Sequence, residues 1–149
     1  MTTIAAEETW LLDVNVLVAL IDQDHEFHRS TKQWLSSKGS ANWSVSPFTE
    51  AGFVRVVTNP KYSHSFAMSE ALEVLDAIST QPGYRFCPVA DSLMVLAHPF
   101  RERLFGHRQV TDACLLGLAI RQKSVLVTRD KSIRIMAGPR YAHHVHLLE

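Results

Sequence analysis

The 149 residues hold 15 Lys and Arg against 15 Asp and Glu, a formal net charge of zero, and 46% are hydrophobic. That composition fits one domain, 1–149, with a sizeable core, and excludes a disordered or strongly polycationic chain. It leaves a nucleic-acid substrate open, because a local basic rim around a small site suffices. The two cysteines, Cys87 and Cys114, form no CxxC pair and read as small core residues in a reducing compartment. The opening MTTIAAEETW lacks a basic segment followed by an apolar signal region. No apolar stretch approaches the roughly 18 residues that span a membrane. A cytoplasmic protein is expected.

In chain order, Thr9–Leu12 reads as a buried strand ending at Asp13, and Val14–Ile21 as an apolar helix packed on a sheet. Residues 26–37 predict a polar helix anchored by Phe27 and Trp34 and stopped by Gly39. Asn42–Val45 predicts a second strand. Ser46 and Pro47 then suit the N-cap and first position of a helix that stops near Asn59-Pro60. Residues 65–79 follow a 3.6-residue apolar period. Gln81-Pro82-Gly83 is a turn, Tyr84–Cys87 a third strand, and 89–100 a further helical segment. Thr111–Arg121 is a strongly apolar helix, Ser124–Val127 a buried strand, and a short turn or helix follows Asp130. His144–Leu148 can form a last strand. Strands alternating with helices predict a three-layer α/β/α sandwich around a central, mainly parallel sheet.

Four acids fall at telling places. Asp13 ends the first strand, and Glu50 and Asp112 lie in the first turns of helices. Asp130 follows the strand Ser124–Val127. In an open α/β sheet, right-handed crossovers bring all the strand exits to one rim, where ligands bind. Two like charges about 4 Å apart repel by roughly 4 kcal/mol at an effective dielectric of 20, so such a group needs a cation or protons. An all-oxygen set suits Mg²⁺, with Mn²⁺ as substitute. Taken singly, each acid is also an ordinary cap or surface charge, the reading given to Asp22, Asp24, Asp76 and Asp91.

The stretches LLDVNVLVAL (11–20), SPFTEAGFVRVVTNP (46–60), VTDACLLGLA (110–119) and SVLVTRD (124–130) resemble, in order, the motifs of the PIN-domain family. Within it they resemble the VapC-like toxins of toxin–antitoxin pairs. The resemblance implies a catalytic acidic centre at Asp13, Glu50, Asp112 and Asp130, with Asp13, Asp112 and Asp130 holding the metal and Glu50 either a further ligand or the residue that orients or deprotonates the attacking water. Asn15 and Thr128 match polar residues that orient the carboxylates. It also implies a metal-dependent endoribonuclease acting on structured RNA such as tRNA or rRNA, a VapB-like antitoxin as partner, and a homodimer. The apolar residues Phe48, Phe53, Tyr62, Phe66, Leu72 and Leu75 are numerous enough to supply a dimer contact.

Arg108, Arg129 and Arg55 are the candidate RNA contacts, since guanidinium groups suit bidentate phosphate binding. Arg101 and Arg103 lie in a segment leading to the rim. His143, His144 and His146 crowd the C-terminal stretch without a thiolate or compact acidic partner. Two rival readings stay open. One is an aspartate-based, Mg-dependent phosphohydrolase, which lacks a lysine at a matching strand end. The other is a non-catalytic scaffold of the same fold that binds RNA or a partner.

Overall fold

Five short strands pair in parallel throughout, in the order β3–β2–β1–β4–β5. They are β1 (Trp10–Leu12), β2 (Trp43–Val45), β3 (Tyr84–Phe86), β4 (Val125–Thr128) and β5 (Val145–Leu147). The computed structural model describes residues 8–39 and 42–149, so the reading of residues 1–7 lies outside the described part. All five expected strands are present, and the sheet is wholly rather than mainly parallel.

Alternation along β1 divides the core. Leu11 joins one apolar cluster, while Trp10 and Leu12 point to the other. The first cluster packs beneath α5 (Leu93–Ala97), α6 (Val110–Arg121) and α7 (Lys131–Tyr141). The second packs beneath α1 (Val14–Ile21), α3 (Pro47–Val57) and α4 (Met68–Ile78), with Trp34 of α2 (His28–Trp34) at its margin. The layers are therefore helix, sheet, helix, as expected for strands buried on both faces. Cys87 and Cys114 are buried and unpaired by disulfide.

Helix ends follow local chemistry. Ser46 caps α3 by accepting from the Thr49 amide at 3.4 Å, with Pro47 at the first helical position. The helix expected over 89–100 is shorter: α5 spans five residues and continues as a 3₁₀ helix, His98–Arg103. Pro99 has no amide proton, which removes the α-helical bond at that point. The segment expected over 26–37 is α2 followed by a π-helical turn, Leu35–Gly39. Beyond Asp130 stands a full helix, interrupted at Gly138 (φ 64°) and Pro139.

The strand order reverses where β1 meets β4. The chain builds outward from β1 through β2 to β3, then crosses the sheet to place β4 on the other side of β1. The crevice beyond the carboxyl ends at such a reversal is the natural ligand site of an open α/β sheet. Asp13 follows β1 there, and Asp130 follows β4.

Candidate active site

Asp13 is 5% exposed and caps α1, its Oδ1 accepting from the Val14 amide at 2.7 Å. Its Oδ2 accepts from the Thr128 hydroxyl at 2.7 Å. Thr128 is fully buried, and its Oγ1 also accepts from the Asp130 amide at 3.0 Å. One hydroxyl thus ties the exits of β1 and β4 together. Asn15 spans the same junction: its Nδ2 lies 3.4 Å from both Asp13 Oδ2 and Thr128 Oγ1, and its Oδ1 accepts from the Arg129 amide at 3.2 Å. Asp130 caps α7, its Oδ1 accepting from the Ser132 amide and hydroxyl at 2.9 and 2.7 Å.

Asp112 is half-buried in the first turn of α6. Burial pushes its carboxyl up to about 7, and the charges of Asp13 and Asp130 push the same way. Burial likewise raises Asp13, with Thr128 and the Val14 amide pulling it back toward ionisation and Asp130 adding repulsion. All three acids sit at helix N-termini, where the backbone dipoles favour negative charge. The capping reading of Asp13 and Asp130 is therefore true, and it coexists with their convergence.

These acids line one cleft of about 570 Å³, together with Asn15, Arg55, His25 and Tyr62. Its floor is apolar, with Val14, Val18, Phe48 and Val56. Gly52 lets α3 approach the start of α1: a Cβ there would meet Val14 Cγ2 at 2.4 Å.

Glu50 is not in this lining. It is half-buried and faces the neighbouring groove formed with Val54, Met68, Leu72 and Leu75. Burial raises its carboxyl, and its charge helps raise the Tyr84 phenol after burial has done so. Arg55 borders both spaces and is exposed. Arg129 turns away from the cleft: its guanidinium stacks 4.5 Å over Phe27 and donates to Thr31 and Ser30 of α2 at 2.8 and 3.3 Å. Arg108 is exposed on the short 3₁₀ helix His107–Gln109, outside the cleft lining.

Sequence reasoning missed a second set beside the cleft. Asp22, Asp24 and His64 present ligand atoms all within 4.8 Å of one another and could chelate a divalent cation. The cleft carboxylates do not gather that tightly. Asp22 is 6% exposed and accepts from the Tyr62 hydroxyl and, at 3.0 Å, from the Asp24 amide. Burial opposes its ionisation, but these bonds, with His64 and His25 nearby, hold it below the usual carboxylate range. Forty residues separate Asp22 from Tyr62, so no local spacing links them. Two of the three C-terminal histidines have structural partners. His144 Nδ1 pairs with the Ser124 carbonyl at 2.9 Å, and His146 packs on Trp10 and Trp34.

The carboxylates stand at the reversal point of a parallel α/β sheet, where folds of this architecture bind ligands. The chain belongs to the PIN-domain family, whose model matches residues 10–139. It is 42% identical over 139 residues to Ribonuclease VapC38 of Mycobacterium tuberculosis (strain H37Rv), covering 93% of this chain and 96% of that one. Ribonuclease VapC44 of the same species (strain CDC 1551 / Oshkosh) is 36% identical over 129 residues, covering 87% and 91%. The chain thus resembles VapC-family ribonuclease toxins. In fold it matches the crystal structure of VapBC2 from Rickettsia felis bound to a DNA fragment from their promoter. The TM-score is 0.64 at 14% identity, over 95% of this chain and 99% of that one.

Proposed function

We propose that the chain is a metal-dependent endoribonuclease, the toxin of a toxin–antitoxin pair, hydrolysing phosphodiester bonds of structured RNA such as tRNA or rRNA in the cytoplasm. One observation carries the reading: carboxylates from three distant segments share one concave cleft, and their mutual repulsion helps push Asp112 up to about 7. An all-oxygen donor set of this charge fits Mg²⁺ or Mn²⁺. Bound there, such an ion supplies a water of lowered pKa and a Lewis acid for a phosphoryl oxygen.

The chain's own residues supply position. Thr128 and Asn15 fix the Asp13 carboxylate, leaving its remaining lone pairs for the cleft. Asp130 uses Oδ1 for the cap of α7, and among the described residues no hydrogen bond reaches its Oδ2. Asp112 has no capping duty and is the member best placed to exchange a proton near neutrality. Glu50 is proposed to act from the adjoining groove on RNA or water at the rim. Arg55 offers a phosphate contact at the cleft mouth, and Arg108 one farther along the surface.

A VapB-like antitoxin and a second copy of the chain are the proposed protein partners. The groove between α3 and α4, with Met68 and Leu72 each 55% exposed, supplies apolar surface for such contacts. Among the described residues no helix is long and apolar enough to cross a membrane.

The deciding experiment sequences RNA ends produced with Mg²⁺ by the unsubstituted chain and by D13N, D112N and H64A. Discrete new ends that vanish in D13N and D112N and persist in H64A support the cleft. Full cutting by both aspartate variants overturns it. Loss of cutting in H64A alone moves the metal to the Asp22 set.

A further inference from the structure

A second cleft of about 430 Å³ lies at the C-terminal end of α7, lined by Arg101, Arg103 and Arg140 with Glu102, His98 and Tyr141. Among the described residues, none of the three guanidinium groups has a carboxylate within 4.0 Å, Glu102 included. Three cations against one acid leave a net positive lining, which solvent or an anionic ligand must compensate.

The arrangement is built rather than incidental. Gly138 and Pro139 interrupt α7 just after Met136 and Ala137. Arg103 Nη1 donates to both their carbonyls at 3.2 Å, a cationic cap on a helix C-terminus. Only glycine permits this: Gly138 has φ 64°, and a Cβ there would stand 2.4 Å from Arg103 Nη1. Arg103 is thereby held at Nη1, and among the described residues its Nη2 and Nε make no hydrogen bond. Arg140 lies over the Tyr141 ring at 5.3 Å, and Arg101 lies 3.1 Å from the His98 ring.

Two connections join this cleft to the acidic one. Helix α7 starts at Asp130 and reaches Ala137 about 10 Å later, at about 1.5 Å per residue. The segment carrying Arg101 and Arg103 runs into α6, which carries Asp112. Between them stands Phe105, 85% exposed, two residues from Arg103. Phe105 is not part of the cleft's lining, but an exposed aromatic ring two residues along the chain from clustered arginines fits a nucleic-acid strand, because bases stack on the ring while guanidiniums hold phosphates. An acidic peptide would use the charges and leave the ring idle.

We infer that Arg101, Arg103 and Arg140, with Phe105, form a second RNA-backbone subsite that anchors substrate away from the point of cutting. The inference rests on the nuclease reading above. Fluorescence anisotropy would follow labelled bulk tRNA binding to D13N, which blocks cutting, across a range of salt. Adding R101A and R140A should weaken binding about tenfold or more and shallow the log–log salt dependence by about 1 per arginine removed. F105A should weaken binding about tenfold with the salt slope unchanged. R101K with R140K, which keeps the charge, should retain the salt slope. Unchanged affinity and slope in the double alanine variant, or no tRNA binding by D13N itself, overturns the subsite. A chain that cuts RNA but shows that null result loses the subsite and keeps the nuclease. One that binds through these arginines and never cuts loses the nuclease and keeps the subsite.

Discussion

Thr128 is the residue on which the cleft's geometry turns, because its single hydroxyl serves Asp13 and Asp130 at once. Thr128→Val keeps the volume and removes the donor. A buried carboxylate left short of a partner costs about 1–3 kcal/mol, so urea unfolding should show a loss of that size. Cleavage should fall with it as Asp13 loses its fixed orientation. Asp112 gives a prediction of opposite sign. Its folded-state value of about 7 lies above the ordinary 3.8, so the group contributes stability below the unfolded value. That contribution disappears as pH rises through about 7. Metal-free protein should therefore unfold more easily at about pH 8 than at about pH 5. D112N should remove about 1–2 kcal/mol of that difference, a figure held below the full electrostatic value because the carboxyl is half-exposed. Saturating Mg²⁺ should restore the alkaline loss in the unsubstituted chain and not in D112N. Equal pH dependence in both proteins would remove the repulsion argument.

At the level of elements, α3 is held against α1 through Gly52, whose missing side chain admits Val14. Gly52→Ala gains about 1 kcal/mol of helix propensity and meets an overpacking cost of about 1–3 kcal/mol. The pair G52A and V14A should couple by about 1 kcal/mol or more in a double-mutant cycle, since shortening Val14 relieves the clash. Additive effects would mean that α3 shifts freely. The strands were legible because each is a short apolar run bounded by turn signals, and Ser46-Pro47 announced α3 by capping chemistry alone. Asp13 and Asp130 were legible as strand exits. The length of α7 was not: only a short turn or helix was expected after Asp130, and the Arg103 bonds to the Met136 and Ala137 carbonyls, made across the fold, leave no local signal. Nor was the direction of Arg129: its neighbour Asp130 suggested the cleft, whereas Phe27 and Thr31, nearly a hundred residues away, draw it to α2. Glu50 shows the same limit. A first-turn position fixes its height on α3, but a quarter-turn of the helix decides which groove it enters.

Across the molecule, large apolar side chains are uncovered in several places. One group, Met68 and Leu72, borders the groove between α3 and α4, while Met94, Phe105 and Ile135 are exposed elsewhere. If the first is where two copies meet, light scattering at micromolar concentration should read twice the chain mass, and L72E should halve it without loss of helix by circular dichroism. A monomeric mass for the unsubstituted chain would remove the dimer. The same molecule divides its charge: acids predominate at the β1–β4 reversal, while Arg101, Arg103 and Arg140 outnumber Glu102 at the end of α7. Zero net charge thus hides two local excesses of opposite sign.

The hydrogen bond from Thr128 to Asp13 closes a loop of 115 residues. During synthesis the first aspartate leaves the ribosome early and waits, unoriented, until nearly the last strand is made. A prematurely terminated product holds Asp13 and Asp112 without the hydroxyl that aligns them. Any product that ends before residue 128 is expected to leave the acidic cleft incompletely assembled, because the two halves of its alignment are encoded 115 residues apart.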